Sequence, residues 1–338
     1  MTDVMTDPKT AVPAAPARRR KAVWLRELAL LPALAAVFVL GGLVDGAFVG
    51  WSNIVSILTA SAALSLVVLG ESLVLITGKF DLSLESTMGL APALGAMVVL
   101  PAASAGFGLG LPTAVGLLLI PVVGALVGYF NGFLIVKLQL NAFIVTLAMQ
   151  FVLRGVQVGA TKGKTLFNLP DAFTDLATTT FAGLPMTVWL AAALFAVAGW
   201  FLRYHRVGRS LYAIGGNREA ARAAGIRVDR ISWAMFVLAG ALAAIGGLAY
   251  TGYVGAIGSG QGAGLILQVF AAAVIGGVSL DGGKGSLVGA LTGVLLLSSV
   301  SSLLNFAHVR PEWQMAIYGA IILVALIISR YAGGKPQT

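Results

Sequence analysis

The stretch Arg203–Arg230, RYHRVGRSLYAIGGNREAARAAGIRVDR, is the longest polar interruption between two apolar halves of the chain. It carries seven arginines, at 203, 206, 209, 218, 222, 227 and 230, against Glu219 and Asp229. Within it the order of residue types predicts a short helix over 218–224. Asn217 is placed to cap it, Glu219 sits in its first turn, and Gly225 is placed to end it. The alanines at 220, 221, 223 and 224 leave a small-residue surface that can sit close in a groove of another protein. A loop made basic only by membrane orientation accounts for the composition equally well.

To either side the chain is apolar. Hydrophobic residues make up 58% and charged residues 10% of the whole, and the mean hydropathy is +0.94. Soluble domains carry about 25% charged residues. Apolar runs close to the ~20 residues that cross a bilayer recur along the length, and backbone groups in lipid must be satisfied internally. The expected fold class is therefore an all-α polytopic membrane protein. Spans are expected at about 28–49, 54–76, 82–101, 113–137, 141–159, 186–202, 231–254, 264–280, 285–304 and 313–330, about ten transmembrane helices. A basic, Pro- and Ala-rich segment over 1–26 reads as a disordered cytoplasmic tail, 27–332 as the transmembrane domain containing the loop 203–230, and 333–338 as a second tail.

The net charge of +9 fits orientation in a lipid bilayer rather than nucleic-acid binding. With both ends cytoplasmic, only Lys162, Lys164 and Arg310 of the 22 Lys and Arg fall in outside loops, Arg154 lies within a span, and the rest face inside. There is no cysteine and there are only two histidines, His205 and His308. That removes thiolate chemistry and argues against a metal centre or a catalytic constellation, so neither a catalytic nor a metal-binding residue is expected.

Two glycine-rich turns interrupt apolar runs: Gly78-Lys79-Phe80-Asp81-Leu82-Ser83 and Gly276-Gly277-Val278-Ser279-Leu280-Asp281-Gly282-Gly283. Both read as broken or re-entrant helices that expose backbone dipoles to a cavity, and they echo each other weakly. Gly124–Gly128–Gly132 and Gly285–Gly289–Gly293 have the spacing that lets helix backbones approach.

Polar groups inside spans are the candidate substrate path: Glu71, Asp81, Ser83, Asn141, Gln150, Arg154 and Gln268, with Glu85 and Gln157 nearby. An arginine at mid-bilayer costs about 2.5–3.5 kcal/mol on insertion scales, so Arg154 is expected to reach the outer face or pair with a carboxylate. A structural ion pair is the competing expectation for Glu71 as well, and an interhelical hydrogen bond for each amide.

The ordered set of these segments resembles the permease subunit of bacterial ABC importers of the ribose and monosaccharide type. The residues that carry the resemblance are Gly78 to Ser83, Asn131-Gly132-Phe133-Leu134-Ile135, Phe143-Ile144-Val145-Thr146-Leu147, Arg154-Gly155, Tyr212 to Asn217, Ala220-Ala221-Arg222, Gly225-Ile226, and Ile275 to Ser286. They run in the family's order from about 50 to 330. The resemblance implies that Gly215, Gly216, Asn217, Glu219, Ala220, Ala221, Arg222 and Gly225 form the loop that docks into an ATPase subunit. It further implies an extracytoplasmic solute-binding protein, a second permease copy (identical or not), and a bacterial inner-membrane location. No cofactor is expected in this chain, because ATP and Mg would be bound by the partner ATPase. The nearest approach to a phosphate-binding loop, Gly282-Gly283-Lys284-Gly285, lacks the hydroxyl residue after lysine.

The implied function is ATP-driven import of a monosaccharide or similar small polar solute. One departure bears on the solute: where sugar permeases carry two acids this chain has Ile266 and Gln268. An ion-coupled secondary transporter that uses Glu71 or Asp81, and an importer permease for a nucleoside or branched-chain amino acid, are the alternatives.

Overall fold

The computed structural model describes residues 30–331. The expected tails, 1–26 and 333–338, lie outside the described residues. Ten apolar helices follow one another: α1 (Leu31–Val44), α2 (Trp51–Ile76), α3 (Leu84–Met97), α4 (Thr113–Gly132), α5 (Ala142–Thr161), then, beyond a four-residue α6 (Asp175–Thr178), α7 (Met186–Tyr204); and, after the polar α8 (Arg206–Gly216) and α9 (Arg218–Ala223), α10 (Val228–Val254), α11 (Leu265–Ile275), α12 (Leu287–Phe306) and α13 (Pro311–Tyr331). A two-strand hairpin, β1 (Thr180–Phe181) against β2 (Leu184–Pro185), sits between α6 and α7.

Six of the described helices are long and apolar enough to cross a bilayer: α2, α4 with its π-helical extension to Lys137, α5, α7, α10 and α12. The sequence leads to about ten. The difference lies chiefly in three segments that form short helices, of 14 residues in α1 and α3 and 11 in α11. At ~1.5 Å per residue these cover about 16–21 Å, less than a ~30 Å hydrocarbon core.

Two helices form the centre. In their most apolar windows α2 is 67% and α10 61% buried, whereas α4, α5 and α7 are 22% buried. Small residues let the neighbours close in on this centre. Gly124 and Gly128 on α4 face the backbone of α10 at Gly240 and Phe236, and a Cβ at either glycine would overlap a carbonyl oxygen. On α12, Gly289 and Gly293 face the backbone of α11 in the same way, at Gly276 and Ala272. The two small-residue repeats in the sequence thus mark two closely packed helix pairs. Around α2, buried side chains such as Val67, Leu69, Leu75, Met88, Phe236 and Val269 make one continuous core.

Both expected breaks are present. α2 ends at Ile76 and α3 starts at Leu84, while α11 ends at Ile275 and α12 starts at Leu287. Ser286 caps α12 by accepting a hydrogen bond from the Gly289 N–H.

Candidate functional site: a short capped helix seated on two glycine turns

α9 is built as the sequence suggests, one residue shorter. Asn217 Oδ1 accepts from the Ala220 N–H at 2.9 Å, satisfying one of the free amides of the first turn. At the other end Gly225 has φ +77°. Its N–H donates to the Arg222 carbonyl at 2.9 Å, and the Ile226 N–H donates to the Ala221 carbonyl at 3.1 Å. This pair of bonds is a Schellman closure, in which a left-handed glycine is the low-cost residue.

The faces of α9 differ from the sequence expectation at one residue. Ala221 is buried in a small cluster with Ile214 and Val228. It holds α9 to its own chain and does not lie on the outward surface. Glu219, Ala220, Arg222, Ala223 and Ala224 are exposed. Arg222 does not project freely either. Both Arg222 and Arg218 donate to Asp229 in the first turn of α10, at 2.8 Å each, so one carboxylate clamps α9 onto α10.

Beneath α9, the end of α8 is wedged between the two glycine turns. A Cβ at Gly215 would overlap the Ile76 carbonyl and the Gly283 amide, and one at Gly282 would lie 2.7 Å from Gly78. The Gly283 N–H donates to the Ile76 carbonyl at 2.9 Å, and the Tyr212 hydroxyl donates to the Gly285 carbonyl at 3.1 Å. Three backbones meet here with no room for a side chain. Gly216, the next residue, faces open space. Lys79 in the first turn is half-buried near the same place. Burial, and then the charge of Arg218, hold its ammonium below the usual lysine range, while Asp229 pulls the other way.

The polar residues expected along a path fall into two groups. In the first, Asp81 accepts from the Ser83 N–H at 3.0 Å and the Ser83 hydroxyl at 2.6 Å, and Asn131 donates to the Ser83 hydroxyl at 2.8 Å. Glu71 adjoins this knot, and all four residues are fully enclosed. In the second, Glu85 at the start of α3 accepts from the Gln150 amide at 2.6 Å and from the Ile266 N–H at 3.0 Å, and lies 3.8 Å from the Arg154 guanidinium. Arg154 also donates to the Gln261 carbonyl at 2.6 Å and to Gln157 at 3.2 Å. The expected carboxylate partner of Arg154 is therefore Glu85. At the start of α11, where the sequence has Ile266 and Gln268, a carboxylate arrives from α3 instead.

The other candidates separate from these groups. Asn141 caps α5, accepting from the Ile144 N–H at 3.2 Å. Gln268 lines a cavity of about 190 Å³ beside Gln314 and Tyr318. Glu71 has no ion-pair partner among the described residues, contrary to the ion-pair expectation. Sequence reasoning missed Asn131 and Gln261 as network members and the meeting of Gly78, Gly215 and Gly282. Asn131 stands next to a glycine-repeat position, but nothing local says which turn it reaches. Among the described residues there is no cluster of three His, Cys, Asp or Glu that could hold a metal.

A bundle with six helices long and apolar enough to cross a bilayer, carrying a capped small-residue helix on a rigid seat, is the architecture of a polytopic integral membrane protein. The chain belongs to the family described as branched-chain amino acid transport system / permease component, whose model matches residues 53–326. It is 32% identical over 302 residues to the autoinducer 2 import system permease protein LsrC of Escherichia coli (strain K12 / DH10B), covering 89% of this chain and 86% of that one. It is 36% identical over 303 residues to the LsrC of Klebsiella pneumoniae subsp. pneumoniae, covering 90% and 86%, and 33% identical to that of Yersinia pseudotuberculosis, covering 89% and 84%. No solved structure matches. The chain is thus a homologue of the permease components of ABC import systems and an integral membrane protein.

Proposed function

We propose that this chain is one of a pair of permease subunits in an ATP-driven importer of the inner membrane, carrying a small sugar-like solute into the cytoplasm. Both termini face the cytoplasm in this reading, and all ten apolar helices lie at bilayer depth, the short ones as half-spans. An ATPase binds Mg-ATP and grips α9; an extracytoplasmic binding protein delivers the solute. The observation that carries the reading is α9 itself. It is capped at both ends, pinned to α10 by Asp229 and Ala221, and presents Glu219, Ala220, Ala223 and Ala224 outward. A short rigid helix of this kind passes the closure of a partner into the spans. The names of the relatives favour a polar sugar-like solute over the branched-chain amino acids of the family description.

The test is reconstitution with the ATPase and binding protein. Ala220→Trp is expected to abolish ATP-driven uptake while leaving insertion and unfolding temperature unchanged. Uptake at the normal rate in that variant, or uptake sustained by an ion gradient with no nucleotide, sinks the reading; the second result favours the ion-coupled alternative at Glu71 or Asp81.

A further inference from the structure

Glu71 is a buried acid that the transport reading leaves unused. It lies in the last third of α2 and is fully enclosed. Its Oε1 accepts one long hydrogen bond, from the Asp81 N–H at 3.4 Å. Its Oε2 is buried with no hydrogen-bond partner. Asp81 is just as enclosed, yet its surroundings are opposite in kind. The Ser83 N–H, the Ser83 hydroxyl and, at 3.4 and 3.5 Å, the Asn131 amide all point at its carboxylate. Such converging donors stabilise a negative charge.

No described Lys, Arg or His pairs with either acid. The helices packed against α2 carry charge at Glu85, Arg203, Arg206, Arg209, Asp229 and Arg230, and the two glycine turns at its end add Lys79, Asp281 and Lys284. Glu85 is occupied by Arg154 and Asp229 by two arginines. Two carboxylates held by one turn, enclosed and without a counter-ion, cannot both be ionised at low cost. Asp81 has several converging donors, whereas Glu71 has a single long one.

We propose that Glu71 is a neutral carboxylic acid and Asp81 its ionised neighbour, so that the pair holds a single proton, carried by Glu71. Glu71 is then a positioning residue. It accepts from the Asp81 N–H without repelling the Asp81 carboxylate, and so fixes the turn that carries Gly78 against Gly215. The proton belongs to the architecture of the turn and is not transported.

The experiment is infrared spectroscopy of the full chain in membranes at neutral pH, with glutamate carboxyls labelled with carbon-13, in a Glu27→Gln background. Glu85 is ion-paired and Glu219 and Glu312 are exposed, so a protonated-glutamate carbonyl band there reports Glu71. The expected result is a label-sensitive band that vanishes in Glu71→Gln. Uptake by Glu71→Gln is expected within about two-fold of the parent and by Glu71→Leu at least about ten-fold lower, since only Gln keeps the acceptor. Absence of the band, or Glu71→Gln as inactive as Glu71→Leu, overturns the proposal. If Glu71→Gln does not accumulate, the band in the parent protein decides alone. The spectrum needs no partner subunit, so it stands or falls apart from the import reading.

Discussion

One methyl group added at Gly215 tests the seat of α9. An alanine Cβ there would overlap the Ile76 carbonyl oxygen and the Gly283 amide nitrogen. Both are backbone atoms of tight turns, so neither can swing aside as a long side chain would. Overpacking of this kind costs about 1–3 kcal/mol. The Gly283 to Ile76 hydrogen bond that holds the turns together contributes about 0.5–1.5 kcal/mol more if broken. Helix propensity works the other way, by about 1 kcal/mol for Gly to Ala. The net expectation for Gly215→Ala is a loss of about 1–3 kcal/mol. Gly216 is the control within the same helix turn, because its Cβ would meet open space. Gly216→Ala is expected to gain up to about 1 kcal/mol. Denaturant unfolding of the purified protein, followed by tryptophan fluorescence, should therefore separate the two variants by about 1–4 kcal/mol. ATP-driven uptake by Gly215→Ala should fall even in the folded fraction, because the two turns are forced apart. Equal unfolding midpoints for the two variants would refute the three-backbone junction.

Gly225→Ala forces a side chain into a left-handed backbone and should cost about 1–2 kcal/mol, read as a lower melting temperature with weaker binding of the ATPase. Arg154→Met leaves Glu85 buried without its cation and should cost about 3–5 kcal/mol; adding Glu85→Gln should recover a large part, and strict additivity in that cycle would show that the pair is not coupled. Asp229→Asn weakens an exposed clamp and should change stability by only about 0.2–1 kcal/mol, less at high salt, while loosening α9 enough to slow coupled ATP hydrolysis. Hydrolysis at the normal rate in that variant would show that Arg218 and Arg222 do not fix the helix.

The local devices are legible in the residues themselves. Asn217 and Gly225 announce α9 because capping and left-handed closure are properties of single residues. The repeats Gly124–Gly128–Gly132 and Gly285–Gly289–Gly293 announce close helix pairs because small residues on one face have few other uses in a membrane. The span positions follow from hydropathy, but hydropathy does not distinguish a full crossing from the short helices α1, α3 and α11. What is illegible is long-range. Nothing near Arg154 in sequence points to Glu85, which approaches from α3, and nothing near Gly78 points to Gly282. Ala221 and Ala220 are chemically alike, and only the direction of the helix on its seat makes one a rivet and the other a surface. An ion pair competes with a place on the path as the sequence reading of Glu71, because composition cannot reveal that no described residue pairs with it.

α10 starts at the clamp and runs 27 residues without a proline, about 40 Å at 1.5 Å per residue. At its far end Gly252 lies against Ala177 and Thr174, at the foot of the β1–β2 hairpin. A tug on α9 would therefore run along one unbroken helix to α6, the neighbour of that hairpin. In the proposed importer, a binding protein that landed there would rest against the same lever that the ATPase pulls.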